Sequence, residues 1–316
     1  MNPLNLYREY SVSSQYFAPR GRERLMFLGE QIAQKHLSYR DRLVGIVGDA
    51  GSGKSSLIKG MFPGLELSND DDVINPRKIL QVRDTFDMAE RESSTYHLDM
   101  RFQLGFTQMY EIVDFVKNML EKGRRLVIEH FNLLQPALGR NADIIVGIGE
   151  EIIVTHPTIF GPQADRIYDM VHSSLRYRKM AHSAEELTLL SLMDEWGIGM
   201  ESLTVSDIRN GFVLCSESPL PINFDRLAEL IREKIDQNLT ISYKDENHIM
   251  VADREVPCTG PRLHVPRTSE IKNFYLVRHW VHDPKQKVYC MVGLLDVQTD
   301  KDLENQNTNY FLTRKE

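Results

Sequence analysis

The chain has 316 residues, 41% of them apolar, and a net charge of −7. That is length for about two domains with real cores, and the acid excess argues against a protein built mainly to coat nucleic acid, although local basic patches remain open. No apolar run approaches the roughly 20 residues that cross a bilayer, the opening MNPLNLYREYSVSSQYF lacks the basic start and apolar centre of a signal peptide, and Cys215, Cys258 and Cys290 are too few and scattered for a disulfide framework. The expectation is a soluble cytoplasmic protein with no membrane partner.

In the first stretch, residues 1–42, apolar Leu25, Met26, Leu28, Ile32 and Ala33 recur at helical spacing among Arg22, Arg24 and Lys35. The reading is one helix, Arg22 to His36, packed on the domain that follows. A basic nucleic-acid-binding arm is the alternative, diluted by Glu23, Glu30 and Asp41.

Leu43 to Val47 reads as a short buried strand. It leads into Gly48-Asp49-Ala50-Gly51-Ser52-Gly53-Lys54-Ser55, a full G-x-x-x-x-G-K-[ST] match, with Leu57 and Ile58 as the apolar positions of a following helix. Glycines let the backbone turn its amides around a phosphate, and a helix starting near Lys54 adds the positive end of its dipole. The pattern marks Gly48, Ala50, Gly51, Ser52, Gly53, Lys54, Ser55 and Ser56 as nucleotide-binding residues. Lys54 would reach the outer phosphates and the Ser55 hydroxyl would ligate Mg²⁺. The bland alternative is an ordinary glycine-rich turn.

A second strand is expected at Leu65 to Ser68, running into Asn69-Asp70-Asp71-Asp72. In a parallel, doubly wound sheet these carboxylates would share a side with the glycine-rich loop. One of Asp70, Asp71 and Asp72 would then take the proton of an acceptor hydroxyl, and another would hold Mg²⁺ through water. An acidic solvated turn is the alternative. Farther on, His97, Asp99 and Arg101 alternate, as substrate contacts on an extended piece or as surface charges at a helix entry.

Helical spacing from Gly105 to Lys122 ends at Gly123. Arg125 to His130 follows as a buried strand with Glu129 near its tip, the position from which a carboxylate supports Mg²⁺ or an attacking water. Asp143 to Ile148 and Glu151 to Thr155 complete an expected five-stranded sheet. The helical region Gln163 to Met193 offers Arg176 and Arg178 as phosphate-covering lid residues, or as an exposed face.

GDAGSGKSS, SNDDD and LVIEH together resemble P-loop kinases of small metabolites, above all uridine-kinase-like proteins, over roughly Leu43 to Lys179. The resemblance implies ATP, Mg²⁺ and a nucleoside-like acceptor. It departs at His130, where those kinases usually have glycine.

From Asn223 the chain reads as an amphipathic helix and a strand. Then Cys258, His264, Val265, Thr268, Glu270, Ile271 and Phe274 follow in an order similar to the second additional domain of alanyl- and threonyl-tRNA synthetases. In editing members of that family the Cys and His are half of a Zn²⁺ site, and a His-x-x-x-His pair on an upstream helix supplies the rest. Here five residues separate Cys258 from His264, where the family has three, and no His-x-x-x-His occurs. Cys258 and His264 are thus Zn²⁺ candidates lacking partners, since a catalytic zinc wants three protein groups and a water. His248, His279 and His282 are the histidines weighed to complete them, and strand alternation sets His279 and His282 on opposite faces. Asn273 to Val281 and Lys287 to Leu295 should form a hairpin around Asp283-Pro284-Lys285-Gln286.

The fold class expected is α/β, a P-loop NTPase with a doubly wound parallel sheet, followed by a smaller α+β domain. Its divisions are 1–42, 43–182, a helical connector 183–210, 211–296 and a polar tail 297–316. The function expected is an ATP-dependent phosphotransferase acting on a small hydroxylated metabolite. The alternatives are a tRNA-associated binding or editing protein with a regulatory NTPase domain, and a nucleotide-gated switch; homo-oligomerisation stays open.

Overall fold

The computed structural model describes residues 13–67 and 95–296, with residues 303 and 306 besides. It is a mixed α/β chain that divides into two compact units, residues 1–173 and 174–316.

The first unit is built on a six-stranded sheet in the order β1-β6-β5-β2-β4-β3. The strands are β1 (Ser14–Phe17), β2 (Leu43–Val47), β3 (Thr95–Asp99), β4 (Arg125–Glu129), β5 (Ile144–Ile148) and β6 (Glu151–Thr155). β3, β4, β2 and β5 run parallel, while β6 is antiparallel to both β5 and β1. The all-parallel expectation fails at β6 because only Gly149 and Glu150 separate it from β5. A parallel return needs a dozen or more residues, whereas a two-residue link makes a hairpin.

The expected second strand is absent at residues 65–67, which are irregular with only Leu67 buried. Asp70, Asp71 and Asp72 lie outside the described residues. The strand beside β4 is β3, from the region expected to be a cap or loop.

Alternation along β5 shows why both faces need helices. Ile144, Val146 and Ile148 enter one core with α1 (Arg22–His36) and α2 (Lys54–Met61). Ile145 enters the other, with α4 (Met109–Glu121), α5 (Phe131–Leu138) and the first turns of α6 (Ala164–Trp196). A short helix α3 (Met100–Gln103) joins β3 to α4.

α1 spans the residues expected and packs on the sheet domain through bare backbone. A Cβ at Gly29 would lie 2.4 Å from the Leu57 carbonyl oxygen, and one at Gly60 would lie 1.9 Å from that of Met26. Gly60→Val must therefore part α1 from α2, and a loss of about 3 kcal/mol is expected in denaturant unfolding.

At the end of α1, the Tyr16 hydroxyl lies 2.6 Å from His36 Nε2. Burial, then the neighbouring His156 and Lys35, hold His36 below its ordinary pKa of 6.5. The unfolded histidine takes its proton at the ordinary value and the folded one only at lower pH. Its contribution is present above the unfolded value and is lost as pH falls through the folded one. Unfolding curves collected from pH 7.5 to pH 5 should show stability declining, with a shallower decline in His36→Gln.

The second unit holds an antiparallel sheet β12-β14-β8-β7, with β13 also on β14, and a smaller sheet β11-β10-β9. The strands are β7 (Thr204–Ile208), β8 (Gly211–Ser216), β9 (Ile241–Tyr243), β10 (His248–Val251), β11 (Arg254–Pro257), β12 (Phe274–Leu276), β13 (Val281–Asp283) and β14 (Val288–Leu295). Asn223 caps α7 (Phe224–Asp236), its Oδ1 accepting from the amides of Asp225 and Arg226. The expected hairpin forms as two separate pieces, β12 and β13, on one partner strand.

Residues 183–210, expected as a connector, build this unit's core. Ala184, Leu187 and Leu192 of α6 pack with Leu227, Ile231, Phe212 and Ile249, and β7 pairs with β8. Cys215 and Cys290 stand opposite each other in the β8–β14 register and are joined as a disulfide. A sequence separation of 75 hides that pairing.

Candidate functional site

The buried strand β2 ends at the Gly48–Ser55 loop, whose geometry explains its glycines. Gly51 and Gly53 have φ of 78° and 98°, values that side chains other than glycine rarely tolerate. A Cβ at Gly48 would sit 2.5 Å from the Ile148 carbonyl oxygen, and one at Gly53 would sit 2.3 Å from Leu25 Cδ2. Gly53 is the residue from which α2 starts, so Lys54 and Ser55 occupy its first turn. Ala50 and Gly51 form the exposed crest, while Ser52 is buried and Ser56 is half-buried.

The parallel register sets Glu129 beside Ile46 near the end of β2, and sets Asp99 beside Glu129 one strand farther on. Buried Lys54 donates from Nζ to the Asp49 carbonyl oxygen at 2.8 Å and lies 3.7 Å from Glu129 Oε2. Glu129 Oε1 is 3.5 Å from Ser55 Oγ and 3.2 Å from His97 Nε2. Asp99 caps α3, its Oδ1 accepting from the amides of Arg101 and Phe102 at 2.9 and 3.3 Å. His130 takes the left-handed conformation at φ 55° and starts α5, so the residue after the acid is a side-chain-bearing version of the turn.

Burial is the largest influence on Lys54 and lowers its pKa, against Glu129, Asp99 and Asp49, which raise it. For Glu129, burial by itself pushes upward. The His97 hydrogen bond and the charges of His97, Lys54 and His130 together outweigh it, so the net direction is down and the carboxylate is ionised. His130 is held down at about 4 by burial, then by Lys54 and Arg101, against Asp99 and Glu129, which leaves it neutral near pH 7. Asp99, Glu129 and His130 also bring ligand atoms within 4.8 Å of one another.

The expected residues Gly48 to Ser56, His97, Asp99 and Glu129 therefore converge. Arg101 is exposed on α3, and its charge acts on Lys54 and His130. The lid arginines fare differently. Arg178 is buried in the second unit, 4.0 Å from Asp207, and Arg176 is exposed on α6. Both lie beyond the division after Ser173, whereas the loop belongs to the first unit.

A second constellation lies wholly within the second unit. His182, Glu186, Cys258 and His264 bring four ligand atoms within 4.8 Å of one another. Cys258 Sγ is 3.2 Å from His264 Nε2 and 3.5 Å from His182 Nε2, and His182 Nε2 is 3.6 Å from Glu186 Oε1. A tetrahedral ion about 2.3 Å from sulfur and 2.0–2.2 Å from nitrogen or oxygen spaces its donors about 3.3–3.6 Å apart. The gaps found here fit that polyhedron, so these residues could hold a metal.

Supporting contacts orient the donors. Ser183 Oγ lies 3.3 Å from His264 Nδ1 and accepts from the Val265 amide at 3.1 Å, which leaves Nε2 facing the sulfur. The Gly260 amide donates to Cys258 Sγ at 3.3 Å.

The expectation that Cys258 and His264 stand alone is thus corrected. The other half sits on α6 as His182-x-x-x-Glu186, with glutamate where a search for paired histidines finds nothing. Two donors at i and i+4 on a helix share one face, and that spacing was the available signal. The five-residue gap between Cys258 and His264 is no obstacle, because the loop folds back with Leu263 N on Gly260 O at 2.9 Å. The histidines weighed from sequence lie elsewhere. His248 bonds Asp245, His282 packs on Tyr289, and His279 is exposed outside the strands, so strand alternation does not govern it.

No family model and no curated protein matches the chain. Among solved structures, C. elegans PCH-2 is 16% identical with a TM-score of 0.24, over 67% of this chain and 57% of that one. The chain thus spans little more than half of that relative, and a likeness of this size carries no argument. Among the described residues, no helix is long and apolar enough to cross a membrane.

Proposed function

We propose that the first unit is a P-loop NTPase domain that binds Mg²⁺-ATP at Gly48–Ser56 and transfers its terminal phosphoryl group to a small hydroxylated, nucleoside-like metabolite. The observation that carries this reading is the convergence of Lys54, Ser55 and Glu129 at the mouth of a glycine-rich loop. Bound Mg²⁺ would neutralise charge on the phosphates, held by Ser55 Oγ and supported by Glu129. Lys54 leaves the Asp49 carbonyl for the phosphate oxygens. The loop amides and the start of α2 stabilise charge on the transferred group.

Asp99 is fixed by its capping bonds at the tip of the neighbouring strand, and we assign it the acceptor role expected of the Asp70–Asp72 run. It receives the hydroxyl proton as the acceptor oxygen bonds phosphorus and ADP leaves. The test is ADP release from Mg²⁺-ATP, with and without pooled nucleosides and related metabolites. Stimulation by a pool supports the reading; ATP binding without stimulated turnover favours a nucleotide-gated switch.

A second reading concerns the other unit and rests on the His182–Glu186–Cys258–His264 cluster. The donor set suits Zn²⁺. A hydrolytic zinc keeps one position for water, and four protein groups leave none, so this reading favours a metal that secures the fold over one that edits a tRNA. Stoichiometric zinc without deacylation of mischarged tRNA is the expected result.

A further inference from the structure

α6 begins against the bare backbone of β5. A Cβ at Gly147 would lie 2.5 Å from Ile167 Cγ2 and 3.0 Å from Val171 Cγ1, so those two residues anchor the helix close to the sheet. The next residue after each anchor reaches the Gly48–Ser55 loop. Tyr168 Oη donates to Asp49 Oδ1 at 2.8 Å, and His172 Nδ1 meets Asp49 Oδ2 at 2.7 Å. The two rings lie one helical turn apart and stack, with centroids separated by 5.6 Å. Both oxygens of one loop carboxylate are therefore gripped from a single helix.

Asp49 is also the inner hub of the loop. Its carbonyl oxygen accepts from Lys54 Nζ at 2.8 Å and from the Ser52 amide at 3.3 Å. A carboxylate inside a loop built for an anion is a competitor, because its oxygens suit the same amides and the same lysine. Drawn sideways by Tyr168 and His172, it no longer competes, and its backbone stays where Lys54 and Ser52 need it.

We infer that Tyr168 and His172 are positioning residues that latch the Gly48–Ser55 loop, through Asp49, in its phosphate-accepting form. This rests on the nucleotide reading above. Neither residue was singled out by sequence, although an aromatic and a histidine at i and i+4 share a helix face.

The test is calorimetric titration of Mg²⁺-ATP into the full chain and its Lys54→Ala, Tyr168→Phe, His172→Ala, His172→Gln and doubly substituted Tyr168→Phe/His172→Ala forms. His172 is 56% exposed at its side chain, and phenylalanine keeps the ring of Tyr168, so the folded state is retained. Each single loss should raise Kd about three- to tenfold, and the double form should raise it further. Glutamine, which can still donate to Asp49, should recover part of the His172 loss. Where turnover is measurable, KM should rise more than kcat falls. Binding lost in Lys54→Ala but unchanged in both latch variants overturns the latch alone. Absence of binding in the unaltered protein overturns the nucleotide reading and the latch with it.

Discussion

Lys54→Ala should lower Mg²⁺-ATP turnover by at least about 100-fold, with a thermal unfolding curve close to that of the unaltered protein. The size follows from what the ammonium does in the transition state. It is a buried cation placed to meet charge on the transferred phosphoryl group, and removing such a preorganised group costs on the order of 10²–10³ in rate. The fold should tolerate the change, because Glu129 keeps His97 as a partner at 3.2 Å and alanine suits the first turn of α2. Glu129→Gln separates the two halves of the reading. It preserves shape while removing the charge that supports the metal, so turnover should fall steeply with a smaller change in nucleotide affinity. Turnover by Lys54→Ala at the unaltered rate would sink the assignment of this loop.

The protein should purify with about one zinc per chain, and stripping it with a strong chelator should lower the unfolding temperature by roughly 5–10 °C. Metal bound only in the folded state adds its binding free energy to stability, and here it would tie α6 to the turn after β11 in the core of the second unit. Cys258→Ala should abolish stoichiometric zinc. Glu186→Gln should weaken it, since a neutral amide is a poor ligand, and Ser183→Ala should weaken it about tenfold by releasing His264. Elemental analysis with calorimetric unfolding checks all three. A metal-free preparation whose unfolding ignores both added zinc and chelator would rule the site out.

Much of the local structure was legible from pattern. The apolar positions of α1 recur every three or four residues, β2 is a five-residue apolar run before a glycine-rich pattern, and β4 ends in its acid, so these elements lie within a residue or two of expectation. Other features were readable but misjudged. The two residues between β5 and β6 dictate a hairpin, and the i, i+4 pair His182–Glu186 declares a shared face once glutamate is allowed as a donor.

The remainder depended on packing. Leu65 to Leu67 has the composition of a strand, yet β3 occupies the place beside β4, because a strand's position depends on a partner edge and a core to fill. α6 from Met180 to Leu192 is buried nearly all round, and only the sheets and α7 of the second unit reveal why it carries so little surface charge there. The sequence by itself determined the loop, its lysine and the acid on the next strand, because each is set by covalent neighbours and backbone conformation over a few residues. Only the tertiary structure decided that Asp99 and His97 join that acid, that Tyr168 and His172 hold Asp49, and that His182 and Glu186 face Cys258 and His264. Those meetings span tens of residues and are selected by how buried faces pack, which no local spacing encodes.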